Sequence, residues 1–156
     1  MSHFDRNNAP LRYSVGHLLH LANQYKDRVL DKHLAPYDVT AAQFKVLLLL
    51  MRDGTDTPAE LSRCLSLDSG AMTRMLDRLE SKGLLRRTRS LGDRRQVQLE
   101  LTDQGTALSG ELMQVGVDAL NELTACLERT ELDQLEQLLR RLLGPSGLLP
   151  ENSGDL

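Results

Sequence analysis

Arg74 and Arg78 stand four residues apart in the stretch Ser69–Ser81, whose apolar positions recur at helical spacing. Both side chains therefore project from one side of a helix. A guanidinium is a planar fork of N–H donors. It can grip a carboxylate or phosphate through two parallel bonds, or the edge of a guanine in a major groove. A second basic group follows in Ser90-Leu91-Gly92-Asp93-Arg94-Arg95, a glycine-containing loop between two strand-like runs. Such a tip can follow a phosphate backbone or set an arginine into a narrow minor groove. Plainer readings stand beside both: an amphipathic helix with solvated arginines, and a solvated hairpin turn.

These side chains need elements to hold them. Thr57-Pro58-Ala59-Glu60 reads as a helix start, with a capping threonine, a proline at the first helical position and a glutamate placed to bond back to the cap. That helix is short, about Pro58 to Leu65. Ser66-Leu67-Asp68-Ser69 is a turn that supplies a second cap. The next helix runs to Ser81 and stops at Lys82-Gly83. Ala71, Met75, Leu76 and Leu79 are its expected buried side. Leu84–Arg89 is an extended candidate, and Gln96–Leu101 alternates polar and apolar residues, the period of a half-buried strand. Two short helices about a tight turn, then a hairpin with a basic tip, make a winged helix-turn-helix.

Upstream, Thr40 caps a helix over about Ala41–Arg52 that is apolar almost all round, hence buried as the support of the helix pair. Before it, Leu11–Ala35 carries a stripe through Val15, Leu18, Leu19, Ala22, Tyr25, Val29, Leu30 and Leu34, and Pro36 closes it. Downstream, one helix begins at Thr102-Asp103-Gln104-Gly105 and runs through Leu127. Another begins at Thr130-Glu131-Leu132-Asp133 and ends at Gly144-Pro145. The first and last helices hold more apolar surface than one small winged helix can cover. Either a second copy buries the surplus or the helices close into a self-contained bundle.

Bulk composition agrees with a single compact unit of 156 residues. Hydrophobic residues make up 40% and aromatics 3%, so the core is built from Leu, Val, Met and Ala. The net charge of −3 hides an asymmetry. Residues 63–95 hold nine Lys/Arg against four Asp/Glu, while the remainder holds ten against eighteen. A basic segment on an acidic body orients a protein toward DNA without making the whole chain adhesive. No apolar run approaches 18 residues and the N-terminus lacks an apolar signal core, so the expected location is the cytoplasm, without a membrane partner.

Other chemistry is thin. Cys64 and Cys126 are far apart and form no CxxC pair, which argues against a cysteine-rich zinc site. Cys64 is expected to be a small buried residue and Cys126 to sit in a late helix near a partner subunit. His17 and His20 share a helix face but lack a carboxylate–histidine set at ligand spacing, so no metal or cofactor is expected. His20 is a candidate to line a ligand cleft. Ser66, Ser69 and the histidines have no nucleophile–base context, so no enzyme is read.

Several sequence words resemble the MarR (multiple antibiotic resistance regulator) family of transcriptional regulators. They are Thr40-Ala41-Ala42-Gln43-Phe44-Lys45-Val46-Leu47, Leu76-Asp77-Arg78-Leu79 with Lys82-Gly83, Asp93-Arg94-Arg95, and Leu101-Thr102. Similarity runs from about Leu11 to Leu143. The resemblance implies a mainly α fold with a small β-hairpin. Residues 11–36 plus 103–144 would form a helical dimerisation region and 37–102 the winged helix-turn-helix, with 1–10 and 145–156 as flexible ends. It implies a homodimer on a pseudo-palindromic double-stranded operator. Arg74 would read a base, Gly70 and Ala71 would lie against base edges, and Ser69 would bond a phosphate. Arg95 would enter the minor groove, with Arg94 on the backbone and Asp93 fixing the loop. It also implies release by a small phenolic or aromatic carboxylate, met by Thr73 and Arg87 or at a second patch, Met75 and Arg78. Repression, the role of close relatives at efflux and stress genes, is what the resemblance implies here. The alternatives are an activator, a redox-responsive regulator of the same family, and a winged helix that binds acidic protein partners.

Overall fold

The computed structural model describes residues 14–52, 54–89 and 97–147. In chain order the elements are α1 (Val15–Leu34), a 3₁₀ turn (Ala35–Tyr37), α2 (Ala41–Arg52), α3 (Pro58–Leu65), α4 (Ser69–Ser81), β1 (Leu85–Arg89), β2 (Val97–Leu101), α5 (Asp103–Thr124), α6 (Arg129–Leu143) and a closing 3₁₀ turn (Gly144–Ser146). The fold is mainly helical with one antiparallel hairpin, the winged helix-turn-helix expected from the sequence. The loop Ser90–Gln96, with Asp93, Arg94 and Arg95, lies outside the described residues, as do residues 1–13 and 148–156.

Local chemistry sets most boundaries. The Thr57 hydroxyl accepts the Glu60 N–H at 3.3 Å, and the Glu60 carboxylate returns to the Thr57 hydroxyl at 3.1 Å, not to the cap's backbone. Asp68 caps α4 by accepting the Ala71 N–H at 2.8 Å. Thr40 accepts the Gln43 N–H at 3.2 Å, and the Gln43 side chain accepts the Thr40 N–H at 3.1 Å, a reciprocal box at the head of α2. Gly83, at φ 70°, lets the chain leave α4 in the left-handed region and turn into the hairpin. β1 and β2 pair from Leu85 with Leu101 to Arg89 with Val97. The Leu99 N–H also donates to the Asp56 carbonyl at 2.7 Å, which ties the hairpin to the turn before α3.

Several expectations need correction. The buried row of α4 is Met72, Leu76 and Leu79, at spacings of four and three, while Ala71 and Met75 are half-buried. The helix is rotated by one position from the expected face because Met72 fills the core. α5 stops at Thr124, so Leu127 falls in the following turn. α6 starts at Arg129, because the Glu128 side chain caps it in a box with Glu131. Leu84 belongs to the turn and β1 begins at Leu85. Cys64 is exposed, not buried, since Leu61 takes the inward position of α3. Cys126 is exposed in the α5–α6 turn rather than in a helix.

The core lies beneath the helix pair. Val46, Leu47, Leu61, Met72, Leu76, Leu79, Leu85 and Leu112 are each at most 1% exposed. Each contributes about 1.5–3 kcal/mol by burial. α2 runs through the centre, and α5 lies across α1, α2 and β2. At the joint of α1 and α5, Lys32 and His33 meet Glu122 at 2.8 Å each; Lys32 first, then His33, holds that carboxyl below the usual carboxylate range. The ends of the chain are different. Of the α1 stripe only Val29, Leu30 and Leu34 are buried, while Val15, Leu18, Leu19 and Tyr25 are exposed. α6 buries no residue and leaves Leu135, Leu138 and Leu142 open.

Candidate nucleic-acid interface

The exposed side of α4 is built by its cap and its core row. With Met72, Leu76 and Leu79 turned inward, Ser69, Thr73, Arg74, Asp77 and Arg78 are left on the surface. Gly70 and Ala71 are half-buried at the head of the helix. A Cβ placed on Gly70 would stand 3.2 Å from Asp68 Oδ1 and 3.4 Å from Arg74 Nη1. The Arg74 guanidinium thus lies back over Gly70, close to the capping carboxylate. The Ala71 N–H, followed by the Gly70 N–H and the Arg74 charge, holds the Asp68 carboxyl below its ordinary value against a smaller opposing effect of burial. The Thr73 hydroxyl donates to the Ser69 carbonyl at 2.8 Å.

Beside this face stands the hairpin. Arg86 and Glu100 form a cross-strand pair at 2.7 Å. Arg87 reaches back from β1 to α4, meeting Asp77 Oδ1 at 2.7 Å and Glu80 Oε2 at 2.5 Å. Its Nη2 also approaches the Thr73 carbonyl at 3.5 Å. The structure therefore brings Thr73 and Arg87 together, but with two carboxylates already at the guanidinium. Met75 and Arg78 line a different groove of 250 Å³ between the head of α2 and α4, along with Arg74, Ala71 and Gln43. His20 is exposed on the first half of α1, a helix that packs chiefly on α5 and α2. The ligand candidates thus fall at three separate places.

Sequence reasoning missed a fourth. Between α1, α2 and α5 lies a cavity of 270 Å³ whose wall is apolar, with Leu30, Phe44, Leu48, Met113 and Leu120 among the lining residues. Lys26, Lys45 and Arg52 reach its edge. Lys45 bonds Asp27 at 2.7 Å, with Lys26 at 3.5 Å from the same oxygen. Burial pushes the Asp27 carboxyl up, but the Lys45 hydrogen bond and both ammonium charges outweigh it and leave the group below its usual value. Nothing local marks this cavity, because its three cations come from two helices in which each looks like an ordinary solvated residue. Among the described residues, no three His, Cys, Asp or Glu side chains gather into a metal-binding set. No single described helix is long and apolar enough to cross a membrane.

Comparison with known proteins places this geometry. The MarR family profile matches residues 39–97. The chain is 46% identical to the multiple antibiotic resistance protein MarR of Escherichia coli over 130 residues, which span 83% of this chain and 90% of that protein. Its fold superposes with a TM-score of 0.75 on the crystal structure of a cysteine-to-serine variant of E. coli MarR in complex with operator DNA. That pair is 47% identical, covering 83% of this chain and 93% of the other. The TM-score is also 0.75 against BpsR of Bordetella bronchiseptica, 27% identical over 86% of this chain and 96% of that one, whose DNA binding is regulated by 6-hydroxynicotinic acid.

Proposed function

This chain belongs to the MarR family, and from that membership we propose a homodimeric, ligand-responsive transcriptional repressor that binds a pseudo-palindromic operator. Residues 37–102 read the DNA, and 11–36 with 103–144 pair the two copies. The observation that carries the reading is the outer face of α4. It begins at a capped helix end, is kept low by Gly70 and Ala71, and presents Arg74, while a hairpin stands at its side. Two such faces on a two-fold axis suit half-sites about one helical turn apart. The exposed leucines of α6 and the open first half of α1 are the surface that joins the copies. The protein acts by binding, in the cytoplasm where its operator lies.

In this reading Arg74 donates to a base edge, Ser69 to a phosphate, and Arg95 enters the minor groove beside Arg94 and Asp93. Arg74→Ala is expected to weaken operator binding by about 1–3 kcal/mol and to relax sequence preference at the base it reads. Fluorescence anisotropy on chosen and scrambled duplexes measures both. If Arg74→Ala and Arg95→Ala each bind the operator like the parent chain, these contacts are misassigned.

An aromatic carboxylate is the effector class. The cavity between α1, α2 and α5 suits it first, with an apolar wall for the ring and Lys26, Lys45 or Arg52 for the acid. The Thr73–Arg87 pair comes second, since a carboxylate there must displace Asp77 and Glu80. Met75 with Arg78 is a third, shallower place. Wherever it binds, the effector lowers DNA affinity only as far as it prefers a dimer whose α4 helices are wrongly spaced. Titrating the operator complex with salicylate should release DNA in a saturable manner. Indifference at saturating concentrations of salicylate and its hydroxylated analogues would count against the effector class and leave DNA recognition standing.

A further inference from the structure

Arg74 and Arg78 are the only cations of α4, and Asp77 and Glu80 its only acids, so the helix offered to DNA is neutral by itself. Duplex DNA repels carboxylates as strongly as it draws guanidinium groups. Asp77 also lies three residues beyond Arg74, a spacing at which helix side chains pair. Left unopposed, it would draw the Arg74 guanidinium along the helix and away from the groove. The structure counters both effects from outside the helix. Arg87 of β1 places Nη2 2.7 Å from Asp77 Oδ1 and Nη1 2.5 Å from Glu80 Oε2. Its own backbone N–H donates to Glu80 Oε1 at 3.3 Å. Both oxygens of Glu80 and one of Asp77 are thereby engaged by one residue of the hairpin. The Arg87 side chain is 28% exposed, against 55% for Asp77 and 39% for Glu80, so the guanidinium is the more shielded member of each pair.

We propose that Arg87 is a positioning residue for DNA recognition: it covers the two carboxylates of the recognition helix, keeps Asp77 from Arg74, and fastens the wing to that helix. It does this without touching DNA. The proposal rests on the DNA-binding reading and adds to it the source of the positive charge on that face. Lysine cannot replace the arginine fully, because one ammonium cannot span two acids with the fixed fork of a guanidinium.

The test is a rescue. Operator affinity is measured by anisotropy for the full chain, Arg87→Ala, Asp77→Asn with Glu80→Gln, and the triple variant, with a thermal melt of each to show that it is folded. Arg87→Ala should bind about tenfold or more weakly, as expected for two uncovered charges within a Debye length of phosphates. The triple variant should return to within about threefold of the parent, because the charges to be covered are gone and glutamine still accepts the Arg87 N–H. A control that neutralises Asp103 and Glu111 on α5 in the Arg87→Ala background makes the same change in net charge and should restore little. Rescue by the α5 control as fully as by the α4 pair would overturn the proposal in favour of net charge alone. No rescue by the α4 pair, with the salt dependence of binding reduced by about one phosphate, would overturn it in favour of direct backbone contact by Arg87. Arg87→Lys, which is expected to fold and to fall between parent and alanine, answers the question if the alanine variant melts below the assay temperature; parental binding by it would also overturn the proposal. If the parent chain failed to prefer any operator duplex, the DNA reading itself would fall and take this one with it.

Discussion

A chain carrying Leu138→Asp and Leu142→Asp is expected to sediment as one subunit and to bind its operator more than a hundredfold more weakly. Both leucines stand on the exposed stripe of α6, at 60% and 54% exposure. Among the described residues, α6 packs substantially only on the 3₁₀ turn that follows it. A 15-residue helix is marginal in water without a partner for its apolar face. In a two-fold interface every substitution occurs twice. Burying a leucine contributes about 1.5–3 kcal/mol, and an unpaired carboxylate in its place adds a desolvation penalty, so the doubled change exceeds what holds an ordinary dimer. The loss at the operator follows from geometry. Linking two half-site readers makes the second contact intramolecular, worth about 10²–10⁴ in affinity. Analytical ultracentrifugation with anisotropy checks both halves. A variant that remained dimeric would place the joining surface elsewhere, and a monomer with parental affinity would remove pairing from the mechanism.

The second large effect concerns a backbone contact. Gly105→Ala is expected to destabilise the chain by about 3 kcal/mol or more, a fall in melting temperature of about 6–12 °C. A Cβ at Gly105 would stand 1.8 Å from the Leu84 carbonyl oxygen and 2.8 Å from its carbon. Both obstacles are main chain, and that segment is fixed from several sides. The Leu84 carbonyl also accepts the Thr102 N–H at 3.1 Å, the Thr102 hydroxyl donates to the Gly83 carbonyl at 2.6 Å, and the Leu84 and Leu85 side chains are buried. Neither α5 nor the turn after α4 can move without tearing this joint. Gly110→Ala is the control: its Cβ meets nothing within 4 Å, and alanine favours a helix interior over glycine by about 0.5–1 kcal/mol. Thermal melts that fall for Gly105→Ala and hold or rise for Gly110→Ala are the expected pair. Equal melts would mean that α5 does not sit against the foot of the hairpin. That contact matters beyond stability, because it is where the helix leading to the proposed dimer surface meets the winged unit.

Much of this molecule was readable along the chain because its determinants are local. Thr40, Thr57 and Thr102 cap their helices through residues three positions on, Gly83 follows α4, and Gln96–Leu101 alternates with the period of a strand. The arginine pair of α4 and the apolar excess of the terminal helices belong to the same class of signal. Errors arose where neighbours in sequence compete for one position in space. Met72 displaced Ala71 and Met75 from the core because packing beneath α4, not the apolar pattern alone, fixes its rotation, and Leu61 left Cys64 outside for the same reason. Glu128 began α6 ahead of Thr130 by forming a box with Glu131.

Sequence alone determined the order of elements, the capped and charged face of α4, and the apolar excess of the terminal helices, since each follows from spacings within one or two helical turns. Tertiary structure alone decided which charges meet and which backbones touch. Arg87 reaches Asp77 and Glu80 across a turn, Gly105 lies against a carbonyl 21 residues away, and Lys26, Lys45 and Arg52 meet at one cavity from two helices. Such contacts leave no periodic trace, because they depend on how finished elements pack and not on how each one forms.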